Sequence, residues 1–561
     1  MEFKEFALLC EKIKSTTSKL EKISLLGNFL KRLDDEELKV TVKFLSGKIF
    51  QPWINKEIQV GYSTILSVIY ELSKETKENI TDLLTKKGDL GEAAYIIFNK
   101  GKKIRPFIEK KFSLKEVYER INKISEFKGE KSYYYKKGIL KDLFLNSEPI
   151  EIKYIIKIIT NELRIGLHEG LIEEAIAYAF NKTSSQIKEA FLILPDLSEV
   201  AVLAKKDELN ISIVPLKPTN FMLAEAMQNA VEVTSYFAKQ LYVEFKYDGI
   251  RAQIHKKGNE VKIFSRKLED ITFFVPEIKE AIKDINGDFI LDCEIISFKN
   301  GKPLPFNILQ RRLRRKNINE DLIKEIPLYA MVFDVLYFET KPCTELTLKQ
   351  RKEILSKMKL KEPIFIVDFF IVKTPNEIEE LFKKSIAEGY EGLMIKDPDS
   401  IYTPGKRGKY WIKLKKEFDT IDAVIVAAEY GHGKRAGILS DYTFAVKGEN
   451  GELRIIGKAY SGLTDEEIEF LDKKLRSLAI QEIGNKIIVK PEIVIEVGFD
   501  SIQKSDRYDS GFALRFPRIK KLRLDKNVEE IATIEKVIRI YETKKKLQAD
   551  HSLFQTDFLQ S

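Results

Sequence analysis

Residues 241–251 read LYVEFKYDGIR and set a lysine where it could do chemistry. Residues 241–245 are apolar enough to form a strand. A strand alternates faces with period two, so Glu244 and Lys246 share one face while Val243 and Phe245 share the other. Lys246 then stands at the strand end beside a carboxylate, just before the turn pair Asp248-Gly249. Arg251 follows two residues after the turn. This arrangement suits a lysine at the floor of a pocket with an anion-binding cation at its rim. A lysine that acts as a nucleophile must lose a proton held with a pKa of about 10.4, which burial and nearby cations push down. Lys-X-Asp-Gly alone also occurs in ordinary surface hairpins, so the other charged strands must be weighed with it.

Residues 289–296 read as a strand with Asp292 and Glu294 on one face and Leu291, Cys293 and Ile295 on the other. Residues 329–338 form an apolar run around Asp334, and a carboxylate inside such a run needs a partner. Residues 391–396 (EGLMIK) carry charge at both ends, and a turn-rich loop covers 402–407. In WIKLK at 411–415, Trp411, Lys413 and Lys415 share a face while Ile412 and Leu414 take the core side. Two lysines aimed into one pocket repel unless an anion lies between them; a triphosphate would serve, as would Glu244, Glu294 or Glu391. Residues 311–316 hold five cations in six positions, a density suited to phosphate contact.

The elements that must position these residues divide the chain. Its 561 residues predict three or four domains at about 150 residues each. Residues 1–215 read as helical, with apolar positions at helical spacing in Phe6, Leu9 and Ile13, in Leu26, Phe29, Leu30 and Leu33, and in Val117, Ile121 and Ile124. Within that region Arg164-Ile165-Gly166 suits either a helix end near a phosphate backbone or a plain helix C-cap. Residues 214–218, with two prolines, are expected to be extended and to mark a boundary. Residues 241–416 are mixed α/β, including a hairpin turning at Lys257-Gly258-Asn259. From 417 to 545 short strands alternate with glycine-containing turns, which predicts a small β-barrel with a helix near 465–479 and a second helix over 528–547. Residues 546–561 read as a loose tail.

Composition narrows the class. Charged residues make up 32% and the net charge is +9, which permits a polyanionic partner without requiring one. The three cysteines are far apart with no Cys-X-X-Cys, so a zinc finger and a disulfide framework are both unsupported and a reducing, cytoplasmic setting is expected. The charged N-terminal helix is not a signal peptide, and no apolar run of 18 residues predicts a membrane span.

Taken together, KYDG at 246–249, SR at 265–266, DCE at 292–294, FD at 333–334, EGLMIK at 391–396, WIKLK at 411–415, and RFPR with RLDK within 515–526 resemble the motif series of the ATP-dependent DNA ligases. The archaeal and eukaryotic replicative type is the nearest in pattern, and the resemblance reaches to about residue 545. It implies an all-α DNA-binding domain (1–215), an α/β nucleotidyltransferase or adenylation domain (216–416), an OB-fold barrel (417–545) and a flexible tail (546–561). It implies the sealing of 5′-phosphate/3′-hydroxyl nicks in duplex DNA, in replication, repair and recombination, through lysyl-AMP and DNA-adenylate intermediates.

By that resemblance Lys246 is the nucleophile and AMP is bound to it covalently as an intermediate. Glu244 would accept from the adenine amino group and Phe333 would stack on the ring. Arg251 and Arg266 would hold ribose and phosphates, and Arg407, Lys413 and Lys415 would neutralise phosphate charge. Glu294 would bind ribose or metal, and Glu391 would help hold Mg²⁺. Arg164 would meet DNA, and Arg515, Arg518 and Lys526 match the family's final motif. A hinge is expected at 416–420. The implied partners are nicked duplex DNA and, as a candidate, a sliding clamp; a monomer is expected. The clamp-docking stretch would be 104–108, which lacks the family's glutamine and one aromatic, while Phe554 and Phe558 offer another docking peptide. An mRNA capping guanylyltransferase or RNA ligase shares the lysine and several strands, but the helical N-terminal third and Glu244 argue against it. An NAD-dependent ligase would need zinc-binding cysteines.

Overall fold

The computed structural model describes residues 1–561 except 74, 101–110, 300–301, 305, 314, 316–317, 416–418, 432–434, 436 and 551–561. It divides into two compact units, Met1–Glu380 with Leu393–Leu414, and Leu381–Gly392 with Lys415–Ser561.

The first unit begins with twelve α-helices among the described residues, from Phe3–Ser15 to Leu197–Lys206. The predicted stripes (Phe6, Leu9 and Ile13; Leu26, Phe29, Leu30 and Leu33; Val117, Ile121 and Ile124) all enter one core. Local signals set the helix ends. Asp34 with Glu37, Ser113 with Glu116 and Thr183 with Gln186 close capping boxes, each satisfying N–H groups that a helix start leaves without partners. Gly88, at φ +60°, ends the helix Lys77–Lys87, and Asp89 caps the next. Asp89 also pairs with the buried Lys157, while Glu11 and Glu92 take the neighbouring Lys153, so two lysines inside this bundle are neutralised locally.

Residues 214–217 make a turn rather than a simple extended run: Lys217 N–H donates to the Val214 carbonyl at 3.4 Å and Leu216 has φ +70°. The segment is bonded to the following sheet. Leu216 N–H donates to His255 Nδ1 (3.1 Å), Thr219 N–H donates to Gln253 Oε1 (3.2 Å), and Gln253 Nε2 donates back to the Thr219 carbonyl (2.8 Å). With Nδ1 accepting, Nε2 carries the His255 proton and faces Gln253 Oε1. Burial lowers the His255 pKa to about 3, in keeping with a neutral ring.

Two sheets follow. The strands are β1 (Leu223–Met227), β2 (Leu241–Lys246), β3 (Ile250–Lys257), β4 (Glu260–Ser265), β5 (Phe289–Lys299) and β6 (Lys302–Pro303). Then come β7 (Leu328–Phe338), β8 (Lys341–Pro342), β9 (Ile364–Ile366), β10 (Phe370–Val372), β11 (Gly392–Lys396) and β12 (Arg407–Lys415). One sheet has the order β1-β12-β11-β2-β10, the other β4-β3-β5-β7-β8 with β6 on β5 and β9 on β7. The hairpin β3–β4 turns at Gly258 (φ +56°), as its sequence predicts. The sheets meet through Met222, Ile290, Leu336, Tyr402 and Trp411. Leu291, Cys293 and Ile295 take the opposite side of β5 into a second core, as their alternation predicts.

In the second unit, strand β13 (Asp419–Tyr430) pairs with β14 (Leu439–Lys447), β17 (Lys486–Val489) and β18 (Val494–Phe499). With β15 (Leu453–Ala459), β16 (Ala479–Ile483) and β21 (Arg518–Leu522) they form a seven-stranded sheet, whose pairing does not close on itself among the described residues. β19 (Ser501–Lys504) and β20 (Phe512–Arg515) form a separate hairpin. The helix Asp465–Ser477 brings Leu471 and Leu475 into this core. The helix expected over 528–547 instead starts at Ile534, after a short 3-10 turn at Val528–Glu530.

The 104–108 stretch, positions 416–418 of the hinge region, and Phe554 and Phe558 lie outside the described residues. The phosphate contact expected of 311–316 does not hold for Arg312. It is fully buried, with a fork onto the Glu277 carboxylate and a further bond to the Ile326 carbonyl (2.7 Å).

Candidate active site

Lys246 ends β2 and is half-buried. The chain must then turn tightly past β5, which explains Gly249. A Cβ there would stand 2.3 Å from the Ile295 carbonyl oxygen and 2.7 Å from Ile296 Cγ2, closer than any side chain tolerates.

Two residues before Lys246, on the same strand face, Glu244 is 2% exposed. Its Oε1 meets Lys352 Nζ at 2.5 Å and its Oε2 meets Lys396 Nζ at 2.6 Å. Lys396 closes β11, the neighbour of β2, whereas Lys352 reaches in from the helix Leu348–Lys357. Burial pushes the Lys396 pKa down to about 8 against the opposing pull of Glu244. The Lys396 ammonium also lies 4.4 Å from the ring centres of both Phe333 and Trp411. Those rings meet edge to face, 6.0 Å apart at 78°. Trp411 is 1% exposed, and its Nε1–H has no acceptor among the described residues. A buried donor left so costs about 1–3 kcal/mol unless a bound molecule supplies the acceptor.

Arg251, on β3, is not a free rim cation. Its Nε and Nη2 donate to Asp292 Oδ1 (3.0 Å) and Oδ2 (2.7 Å), and its Nη1 donates to the Met222 carbonyl (2.7 Å). Tyr402 Oη donates to Asp292 Oδ2 (2.8 Å) and accepts from Met222 N–H (3.1 Å), closing a ring of hydrogen bonds. The guanidinium sits 4.9 Å from the Phe221 ring centre and 5.5 Å from those of Phe333 and Trp411. Glu294 is half-buried on β5 directly opposite Arg251 in the strand register. Asp334, the carboxylate that needed a partner, pairs with Arg351 through bonds of 2.7 and 3.0 Å, both side chains fully buried. Arg351 Nη1 also donates to the carbonyls of Leu346 (2.6 Å) and Ser400 (3.1 Å), tying β7 to the loop that carries Tyr402.

The structure therefore places Glu244 and Lys246 on β2, and the half-buried Lys413 on β12, in one sheet, and Arg251, Glu294 and Phe333 on β3, β5 and β7 in the other. Arg266 and Arg407 are exposed at strand ends. Arg164 lies in the loop between the helices Pro149–Ile159 and Glu169–Ala179, at φ +48°, where Nη1 donates to the Gly88 carbonyl (2.9 Å) and Nη2 pairs with Glu162. In the second unit Glu391 pairs with Lys415, Arg515 lies 3.6 Å from Asp500, Arg518 is exposed, and Lys526 donates to Asp422 (2.6 Å). Sequence reasoning overlooked Lys352 and Tyr402 and gave Asp292 and Lys396 no role. Lys352 carried no local signal, since its partner lies 108 residues away.

A lysine at a strand end, over a buried carboxylate flanked by cations and aromatic rings, gives a site suited to a purine nucleotide. The family models agree with such a class. DNA ligase N terminus matches residues 2–213, ATP dependent DNA ligase domain matches 221–415, and ATP dependent DNA ligase C terminal region matches 435–526. Over 552 residues the chain is 36% identical to a DNA ligase of Archaeoglobus fulgidus, covering 96% of this chain and 98% of that protein. A probable DNA ligase of Koribacter versatilis is 39% identical over 563 residues, covering 96% of each. A solved structure titled Pmar-Lig_PreS3 shares the fold at TM-score 0.57 and 18% identity, covering 92% of this chain and 99% of that one. The chain belongs to the ATP-dependent DNA ligase family. It is a ligase, and its activity is the ATP-dependent sealing of nicks in DNA.

Proposed function

We propose that Lys246 is the nucleophile of a three-step transfer. Its neutral amine attacks the α-phosphorus of ATP; a P–N bond forms, the bond to pyrophosphate breaks, and the amine's proton is released. The 5′-phosphate at a nick then displaces lysine, taking AMP as a DNA-adenylate. Finally the 3′-hydroxyl attacks that 5′-phosphorus, a phosphodiester forms, and AMP leaves. Covalent catalysis of this kind splits one difficult condensation into easier steps. The observation that carries the reading is Glu244. A buried carboxylate with a cation on each oxygen, beside Phe333 and Trp411, suits a purine that donates from an amino group.

On this reading Phe333 stacks on the base, and Arg251, held by Asp292, serves the ribose and phosphates from a fixed orientation rather than as a mobile cation. Arg266, Arg407, Lys413 and Lys415 neutralise phosphate charge. Among the described residues no three carboxylate, histidine or cysteine side chains converge as a ready-made metal site. Mg²⁺ commonly takes one or two carboxylates and completes its shell with phosphates and water, so Glu294 and Glu391 are each candidates to supply a carboxylate, Glu391 by giving up its pairing with Lys415. Bound there, Mg²⁺ would polarise phosphate oxygens.

The same reading divides the chain into a DNA-binding domain (1–215), an adenylation domain (216–416), an OB-fold domain (417–545) and a tail (546–561). Arg164 would contact DNA, and Arg515, Arg518 and Lys526 would serve the final motif. Lys526 would have to exchange its bond to Asp422 for phosphate. A monomer in the cytoplasm, with a sliding clamp as a further partner, completes it.

The test is self-adenylation with α-labelled ATP, followed by peptide mass mapping. Wild-type protein should carry AMP on Lys246, and Lys246→Ala should lose the label and nick sealing while still binding nicked DNA. Label retained in that variant, or transfer from GTP alone, would overturn the assignment.

A further inference from the structure

Lys352 belongs to none of the motifs that mark the nucleotide site. It projects from the helix Leu348–Lys357, which Leu348 and Leu355 bury and which Arg351 ties to Asp334 on β7. The Lys352 side chain is 6% exposed, and its ammonium lies 5.3 Å from the Phe369 ring centre. That anchorage delivers one cation to one oxygen of Glu244, with Lys396 at the other.

A carboxylate this deeply buried needs partners on its oxygens. The role its free lone pairs play, and where they point, decides what it can recognise. An ionised carboxylate only accepts hydrogen bonds, whereas a protonated one also donates. At position 6 of a purine this separates two classes, because an amino group donates and an oxo group accepts. Each carboxylate oxygen offers about two lone-pair sites, so a lysine on each still leaves room for an incoming N–H.

We propose that Lys352 is a positioning residue for base selection: by its ion pair with one Glu244 oxygen it fixes that carboxylate as an acceptor in one orientation, and so makes the site prefer 6-amino over 6-oxo purine nucleotides. This rests on the reading of Glu244 as the base acceptor. Lys396 cannot do the task alone. It meets only Oε2 and is directed toward the faces of Phe333 and Trp411, so Oε1 is left to Lys352.

The test compares self-adenylation by ATP and by inosine triphosphate, which carries an oxo group in place of the 6-amino group and a proton on N1. Lys352→Met should lower the ATP-to-inosine-triphosphate ratio of kcat/KM by about tenfold, mainly through KM for ATP, and Lys352→Arg should stay within about threefold of wild type. The ratio is internal to each preparation and does not depend on the fraction of folded enzyme. If Lys352→Met fails to fold, Lys352→Gln, which keeps a donor but loses the charge, reads the same ratio. A ratio within about twofold of wild type, with both nucleotides slowed alike, makes Lys352 structural and ends the proposal. Glu244→Gln locates the failure. If it too leaves the ratio unchanged, the acceptor reading is wrong; if it collapses the ratio while the Lys352 variants do not, only the role of Lys352 is wrong.

Discussion

Arg251 and Asp292 meet across the β3–β5 pair through two hydrogen bonds of 3.0 and 2.7 Å, the arginine side chain 15% exposed and the aspartate fully buried. Removing the aspartate would strand a buried cation. Asp292→Ala should therefore destabilise the protein by about 3–5 kcal/mol, read by denaturant unfolding. Tyr402→Phe, which deletes one hydroxyl from the same ring of bonds, should cost about 1–3 kcal/mol. Equal, small losses for both would show that the ring contributes little.

The Asp334–Arg351 pair makes a separate and stricter case, because both side chains are wholly buried. Asp334→Leu or Arg351→Met alone should each cost about 3–5 kcal/mol, and the double change should recover much of that loss. Additive losses in the double variant would contradict the pairing.

Lys396 predicts a pH dependence. Its pKa in the folded protein is about 8, below its ordinary 10.5, so between those values the unfolded chain holds more of this proton than the native one. Stability must then rise with pH across that window on account of this group, and below pH 8 its burial is a constant penalty. Denaturant unfolding of wild type and Lys396→Met between pH 7 and 10.5 should show the difference shifting in favour of wild type as pH rises. A difference that stays flat would mean that the group does not titrate there.

Two glycines separate close approach from backbone conformation. Gly258→Ala adds a methyl into open space at φ +56° and should cost about 1–2 kcal/mol for the left-handed backbone alone. Gly249→Ala puts its methyl 2.3 Å from a carbonyl of β5, so strands must shift. Its melting temperature should fall further, and self-adenylation should fall with it because Lys246 is three residues away. Similar melting temperatures for the two variants would refute the close approach.

Much of this was legible in the sequence because it is periodic or local. The three apolar stripes of the helical region, the alternation along β5 and the hairpin at Gly258 follow from side chains a few residues apart. What stayed hidden depends on distant pairings. The run at 311–316 looked like a phosphate-binding face, yet Arg312 turns inward to Glu277, and nothing nearby distinguishes it from the exposed Arg311. The Asp334 carboxylate has the partner it was expected to need, but Arg351 could not be picked out among so many cations. Lys352 follows it in the chain and went unnoticed for the same reason. Arg251 was read as a rim cation, and its commitment to Asp292 required the strand register.

The three hydrogen bonds between residues 216–219 and the side chains of His255 and Gln253 have one more consequence. They clasp the connecting peptide to β3 through side chains on the strand face that also carries Arg251. After a proteolytic cut in the more exposed stretch 207–212, the Leu216 and Thr219 amide hydrogens should stay slow to exchange, held by His255 and Gln253 rather than by continuity with the helices.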